Sequence, residues 1–194
     1  MSTNPLAFAA PAAECPSISL DFATAAAPEG VVRVKKMREE ALPPAALIDG
    51  SGQATTDPNV LYSDPRGSIL PFGGHKGYAL SLMVEILACG LGRAGERLTT
   101  ASVSQSRFGA FAVAIDIARY VPAADFRTEV DAVIRHVKSS PPAPGFSEVF
   151  TPGEPEARSE ERLRREGIRL DDALWTKIQA VAADLRVDLP DQPA

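Results

Sequence analysis

Only two cysteines, Cys15 and Cys89, and two histidines, His75 and His136, occur in the 194 residues. So few thiols build no framework of bridges, and no close Cys/His spacing offers a structural zinc site. Positive charge is scarce as well. Lys and Arg number 20 against 25 Asp and Glu, a formal charge of −5, so neither nucleic acid nor an anionic membrane is an expected partner. Where basic residues do gather, as in Arg158-Ser159-Glu160-Glu161-Arg162, acids are interleaved, the pattern of a solvated helix face. The longest apolar run, 78–91, is too short for a bilayer and carries Glu85. The opening MSTNPLAFAAP lacks the basic start and apolar core of a signal peptide, so the cytoplasm is the expected compartment. Neither a P-loop nor a Gly-x-Gly-x-x-Gly turn after a strand is present, which removes the two commonest phosphate cradles.

Proline is what the chain has in excess. Seventeen of them are nearly twice the usual share of about 5%. Pro5, Pro11 and Pro16 mark the first stretch as extended or looped. The alternation Ile18-Ser19-Leu20-Asp21-Phe22 reads as a short strand ending in a carboxylate, followed by a helix-tolerant small-residue run at 23–27. A helix is expected from Val31 to Glu40, stopped by Pro43-Pro44. Residues 49–68, with Asp49-Gly50-Ser51-Gly52 and Thr55-Thr56-Asp57-Pro58, read as a long ordered loop. Residues 107–116 read as a buried strand. Asp125 is a candidate N-cap for a helix reaching Lys138, with Phe126, Val130, Val133, Ile134 and Val137 on one face. A Pro/Ser linker at 139–144 and a short strand at 148–151 precede a charged helix ending at Gly167. Asp171 then caps a last amphipathic helix. Strands alternate with helices, so the class is α/β.

The sharpest local signal is Leu70-Pro71-Phe72-Gly73-Gly74-His75-Lys76-Gly77-Tyr78, directly before an apolar helix expected over 76–91. Unpaired amides at a helix entrance concentrate positive potential, glycines let an anion approach, and a lysine adds full charge. The plainer reading is a tight turn with Lys76 reaching solvent. Leu80, Leu82, Met83, Val84, Ile86 and Leu87 cover most of the helix, so it is expected to be buried, with Ser81 and Glu85 as its polar stripe.

Several motifs in order resemble the type 2 malate/L-lactate dehydrogenase family, which includes ureidoglycolate, sulfolactate and diketogulonate dehydrogenases and the cyclic imino-acid reductases. They are Ser2-Thr3-Asn4-Pro5-Leu6, Leu20-Asp21-Phe22-Ala23-Thr24, Asp49-Gly50 with Thr55-Thr56-Asp57-Pro58, the Gly-Gly-His-Lys turn, and Pro152-Gly153-Glu154-Pro155. Gly167-Ile168 and Trp175 fit as well. The turn itself is especially similar to the cyclic imino-acid reductase branch. The resemblance implies a non-Rossmann α/β fold whose mixed, largely antiparallel sheet is flanked by helices. It implies NAD or NADP as cofactor and a hydride moved to or from the carbon beside a carboxylate of a 2-oxo, 2-hydroxy or cyclic 2-imino acid. By the same resemblance Asp21, Phe22, Ala23, Thr24, Ala25, His75, Lys76, Gly77, Gly153 and Glu154 hold the cofactor.

Departures from the family pattern are equally specific. Its catalytic histidine and substrate-anchoring arginine lie in a helical segment that normally precedes the Thr-Asn-Pro motif, so the chain reads as truncated at its N-terminus. Ala25 stands where many relatives have serine, Val31 where a Gly-Lys pair is common, and Leu47 where tryptophan is usual. Asp21 either orients such a histidine or caps the segment at 23–27, and His136 reads as a surface residue. The expected organisation is an NAD(P)-binding α/β domain over 1–140 and, over 141–194, a loop and helical segment that normally packs on the N-terminal part. The chain is expected to form a homodimer or to associate with that part. An oxidoreductase, or its cofactor-binding portion, is one reading. An inactive relic that binds only a dinucleotide or a partner chain is the other.

Overall fold

The alternating stretch at 18–22 does form a strand, and it finds its partner in the proline-punctuated N-terminal segment. In the computed structural model, which describes residues 3–92 and 109–189, β1 (Leu6–Ala10) and β2 (Ile18–Phe22) pair antiparallel from Leu6↔Phe22 to Ala10↔Ile18. α1 (Glu29–Met37) follows Pro28 and ends before Glu40. β3 (Leu47–Ile48), β4 (Ala54–Thr55) and β5 (Ser68–Ile69) form a second sheet in the order β4-β3-β5. Every strand pair among the described residues is antiparallel. Ala27, Val32, Leu42, Ala46, Leu47 and Leu61 make the core between α1 and this sheet, with Val60 and Ile69 against it.

Residues 49–68 are thus not one loop. Asp49 accepts hydrogen bonds from Ser51 N (2.9 Å), Ser51 Oγ (2.7 Å) and Gln53 N (3.0 Å), which shapes the β3–β4 turn. Asp57 then caps a 3₁₀ turn at Pro58–Tyr62 by accepting from Asn59 N at 2.9 Å. Side chains competing for backbone partners turn a glycine- and proline-rich stretch into short defined pieces.

α2 (His75–Glu85) continues as a π-helical turn, Ile86–Leu91. Its orientation reverses the expectation of all-round burial. Gly77, Ser81 and Ala88 face inward, whereas Tyr78 is 50% exposed, Ile86 59% and Leu91 65%, with Leu82 and Met83 also outward. The cause is Asn4, buried before β1. Its Nδ2 lies 3.0 Å from Ser81 O, 3.2 Å from Ser81 Oγ and 2.8 Å from Glu85 Oε2. A buried amide needs partners, and the polar stripe supplies them, which turns the apolar stripe outward.

α3 (Ala123–Lys138) starts after Pro122, so Asp125 sits in the first turn, favourable to the helix dipole, instead of capping it. Of the expected apolar face Ile134 is buried, while Val133 and Val137 are exposed. Asp131, only 2% exposed, accepts from the amides of Ala13 (3.1 Å), Glu14 (2.9 Å) and Cys15 (3.1 Å) in the β1–β2 loop. Arg135 reaches Glu14 at 2.6 Å and Asp131 at 3.5 Å. These amides, Glu14's first, and the Arg135 charge hold the Asp131 carboxyl below its ordinary range despite its burial. A folded value below the unfolded one gives stability that is whole above the unfolded value, near about 3.9. It is lost as pH falls through the lower folded value. Asp131→Asn is therefore expected to lower the melting temperature at neutral pH by on the order of 5–10 °C and to flatten the decline towards acid. Thermal melts from pH 7 to pH 2 give the check, and superimposable curves would refute the clasp.

Two strand expectations fail. Residues 109–116 carry no strand, and Phe111, Val113 and Ile115 are exposed; residues 107 and 108 lie outside the described residues. Strand-forming residues need a partner ladder, and among the described residues this segment has none. Residues 148–151 are likewise irregular.

The chain divides after Gly153, beyond the 139–144 linker at which the sequence places a boundary. The second unit, Glu154–Ala194, holds α4 (Glu154–Glu166) and α5 (Asp172–Leu185). Ion pairs Arg158–Glu154 (2.6 Å) and Arg164–Glu160 (2.6 Å) line α4 at i,i+4 spacing, as its charge pattern implied. Gly167, at φ 78°, stops that helix and donates its amide to Leu163 O at 2.9 Å. The class is α/β, as expected. No helix among the described residues is long and apolar enough to cross a membrane.

Candidate functional site

Beyond Phe22 the chain continues in extended form and meets the segment leading into α2. Ala26 N donates to Leu70 O (2.7 Å), Phe72 N to Thr24 O (3.1 Å), and Ala25 bridges Pro71. Thr24, 1% exposed, anchors this seam, with its amide 2.9 Å from Thr3 O and its hydroxyl 2.9 Å from Thr3 O and 3.0 Å from Asn4 O. Phe22 and Phe72 meet edge to face at 5.6 Å.

Gly73 and Gly74, at φ 55° and 63°, swing the chain into α2 through backbone angles that side chains resist. Gly77 is the tightest point. A Cβ there would lie 2.2 Å from Phe72 O and 2.9 Å from Phe72 N and Thr24 O. Its own amide donates to Phe72 O at 3.0 Å, Tyr78 N donates to Gly74 O at 3.1 Å, and Lys76 N to Gly73 O at 3.4 Å. The entrance of α2 is therefore less open to an anion than its sequence suggests, because three amides are already paired within the turn. What remains is side-chain chemistry. His75 and Lys76 are exposed, and their side chains make no hydrogen bond or ion pair among the described residues.

The late Pro-Gly-Glu segment also reaches β2. Pro152 O accepts from Ser19 N at 3.2 Å, and Gly153, at φ 90°, fits where a Cβ would lie 2.7 Å from Ser19 O. Segments 24–26 and 70–72 thus meet beyond the C-terminal end of β2, whereas 152–153 lies against Ser19 near the start of that strand. Glu154 opens the second unit and pairs with Arg158. Ala23 is half-buried beside Thr24. Asp21 is exposed on β2 opposite Ala7. Residues 23–27 form no helix, so Asp21 has nothing to cap. His136 lies exposed on α3, away from any of these contacts.

One element escaped the sequence reading. A cleft of about 430 Å³ is lined by Ala25 together with Thr3, Glu29, Arg66, Ser68 and Ile69, among others. The Asp64-Pro65-Arg66-Gly67 turn was its only signal in the sequence. No cluster of His, Cys, Asp or Glu among the described residues could hold a metal ion.

The family description for malate/L-lactate dehydrogenase matches residues 1–179, and the chain belongs to that family. It is 38% identical over 193 residues to the L-sulfolactate dehydrogenase of Methanothermobacter thermautotrophicus, covering 97% of this chain and 54% of that protein. Over 89 residues it is 49% identical to a pyrroline-2-carboxylate/piperideine-2-carboxylate reductase of Pseudomonas putida, 46% of this chain and 26% of that one. Among solved structures, a putative malate/lactate dehydrogenase from E. coli matches with a TM-score of 0.75 at 30% identity, over 98% of this chain and 53% of its own. Entamoeba histolytica malate dehydrogenase, at 23% identity and a TM-score of 0.83 over 96% of this chain and 56% of its own, shares the fold. The chain spans about half the length of the curated relatives it matches.

Proposed function

We propose that this chain binds NAD or NADP around the end of β2 and is the cofactor-binding portion of an oxidoreductase. Its substrate would be a 2-hydroxy or 2-oxo acid or a cyclic 2-imino acid. The observation that carries this reading is an exposed Lys76 and His75 held on a backbone lock between segments 21–25 and 71–77. The donor set fits the group. A lysine offers charge to a phosphate, an imidazole offers a hydrogen bond, and the Phe22–Phe72 pair offers an apolar surface to a flat ring. The nicotinamide, when bound, supplies or accepts the hydride. Thr24 and Gly77 fix the backbone from which Lys76 and His75 project. The imino-acid alternative draws support from the match to the Pseudomonas reductase.

Lys76→Ala is expected to weaken NADH and NADPH binding by about 1.5–3 kcal/mol, the scale of a charge-assisted hydrogen bond. Titration by nicotinamide fluorescence measures it, and equal affinity for the variant would remove Lys76 from the site.

The outward stripe of α2 supports association with a second copy or with another polypeptide. About 200–300 Å² of apolar surface covered at roughly 25 cal/mol per Å² corresponds to about 5–7 kcal/mol, and such patches usually mark interfaces. Sedimentation at micromolar concentration is expected to show self-association, relieved by the Leu82→Glu/Ile86→Glu pair without loss of melting temperature. A monomer in both cases would overturn this.

The inactive reading also has an observation in its favour. Neither His75 nor His136 is held by a second group that would set its tautomer.

A further inference from the structure

We propose that the cleft bounded by Ala25, Glu29, Arg66 and Ser68 is a phosphate-binding subsite, occupied by a phosphate of the dinucleotide and read by Arg66. The inference rests on the proposed function and deepens it, since Ala25 belongs both to the cofactor segment and to this cleft. Arg66 has no ion pair or hydrogen bond among the described residues. A guanidinium left without a carboxylate, at the wall of a cleft of about 430 Å³, matches a phosphate with two parallel hydrogen bonds. Ser68 adds a hydroxyl donor from β5. The first turn of α1, which also borders the cleft at Glu29, adds the positive end of a helix dipole. The acid in the cleft is not against this. Glu29 lies 3.6 Å from Arg33, which offsets its charge, and a carboxylate beside a cation suits a nucleotide that brings ribose hydroxyls with its phosphate.

Two cations flank the same seam of backbone. Lys76 stands at the mouth of α2 and Arg66 beside β5. Between them Ala25 pairs with Pro71 and Ala26 with Leu70, directly after β5.

The test compares wild type with Arg66→Gln, and with Arg66→Lys as the variant that keeps charge but loses the paired hydrogen bonds. Each is titrated with NADH, NADPH and ADP by calorimetry. Arg66 is exposed and unpartnered, so both variants are expected to melt as the wild type does. Arg66→Gln is expected to lose on the order of tenfold or more in affinity, with Arg66→Lys between. A loss confined to NADPH assigns the cleft to the 2′-phosphate; an equal loss for all three assigns it to the pyrophosphate. Unchanged affinities in Arg66→Gln, beside a loss in Lys76→Ala, overturn the subsite and leave the proposed function standing. ADP binding that depends on Arg66 without any binding of NADH or NADPH keeps the subsite and removes the nicotinamide reading. No binding of any of the three to the wild type removes both.

Discussion

The isolated chain is expected to reduce pyruvate, oxaloacetate or piperideine-2-carboxylate about 10²–10⁴-fold more slowly than a full-length dehydrogenase of its family, the usual cost of losing a positioned general acid. The argument rests on how protons are held. Hydride transfer to a carbonyl or a neutral imine builds negative charge on the oxygen or nitrogen, and a poised donor must supply a proton there. The sequence contains two histidines. His136 is on the exposed side of α3, and His75 is at the rim of the turn without a carboxylate or carbonyl to orient its ring. Asp21, the candidate carboxylate for orienting one, is exposed on β2 and makes no side-chain hydrogen bond among the described residues. A mobile imidazole spends little time in a productive pose. Absorbance of the reduced nicotinamide, followed with enzyme in excess, gives the rate. Turnover near that of an intact relative would show that His75 serves as the acid after all.

Gly77→Ala is the substitution expected to damage the site most. Its Cβ would fall 2.2 Å from Phe72 O and within 2.9 Å of Phe72 N and Thr24 O. All three are backbone atoms held in the seam, so none can rotate away as a side-chain tip would. Overpacking of this kind costs about 1–3 kcal/mol and occasionally more, and the upper end applies. For a chain of this size that is a fall of roughly 6–12 °C in melting temperature, with loss of dinucleotide binding as the turn carrying Lys76 moves. Gly90→Ala, where a Cβ meets nothing within 4 Å, is the control and should stay within about 0.5 kcal/mol. Calorimetric melts and fluorescence titrations of the two variants would decide. If Gly77→Ala bound and melted like the control, the seam would not be what places Lys76.

Local patterns were legible in the sequence wherever one element could be judged alone. The alternation at 18–22, the charged run closed by Gly167 and the α/β class needed only period and punctuation. The facing of α2 needed a distant residue. Apolar side chains surround that helix, and nothing near it in sequence reveals that Asn4 will claim Ser81 and Glu85. The entrance of α2 shows a similar limit. The glycines do bend as expected, but Phe72 O takes the amide that a ligand would have used. Residues 109–116 show the limit of propensity, since strand-forming side chains without a partner edge remain irregular. Motif order named segments 21–25 and 75–77, and the fold places 24–26 beside 70–72 at the entrance of α2. The cleft beside Ala25 needed coordinates, because its walls come from four separate stretches of chain.

The Asp131 carboxylate that holds three amides of the β1–β2 loop has a bearing on the order in which the molecule assembles. A hairpin is ordinarily the most local of structures, closed by its own turn within microseconds. Here the turn is finished by a residue 116 to 118 positions further along the chain. Closing so large a loop carries an entropy cost that grows with the logarithm of its length, and it is met only after the helix carrying the carboxylate has docked. The strands can therefore register early, whereas the bend between them settles late. The most sequence-local piece of the sheet thereby waits on one of the longest-range contacts in the first unit.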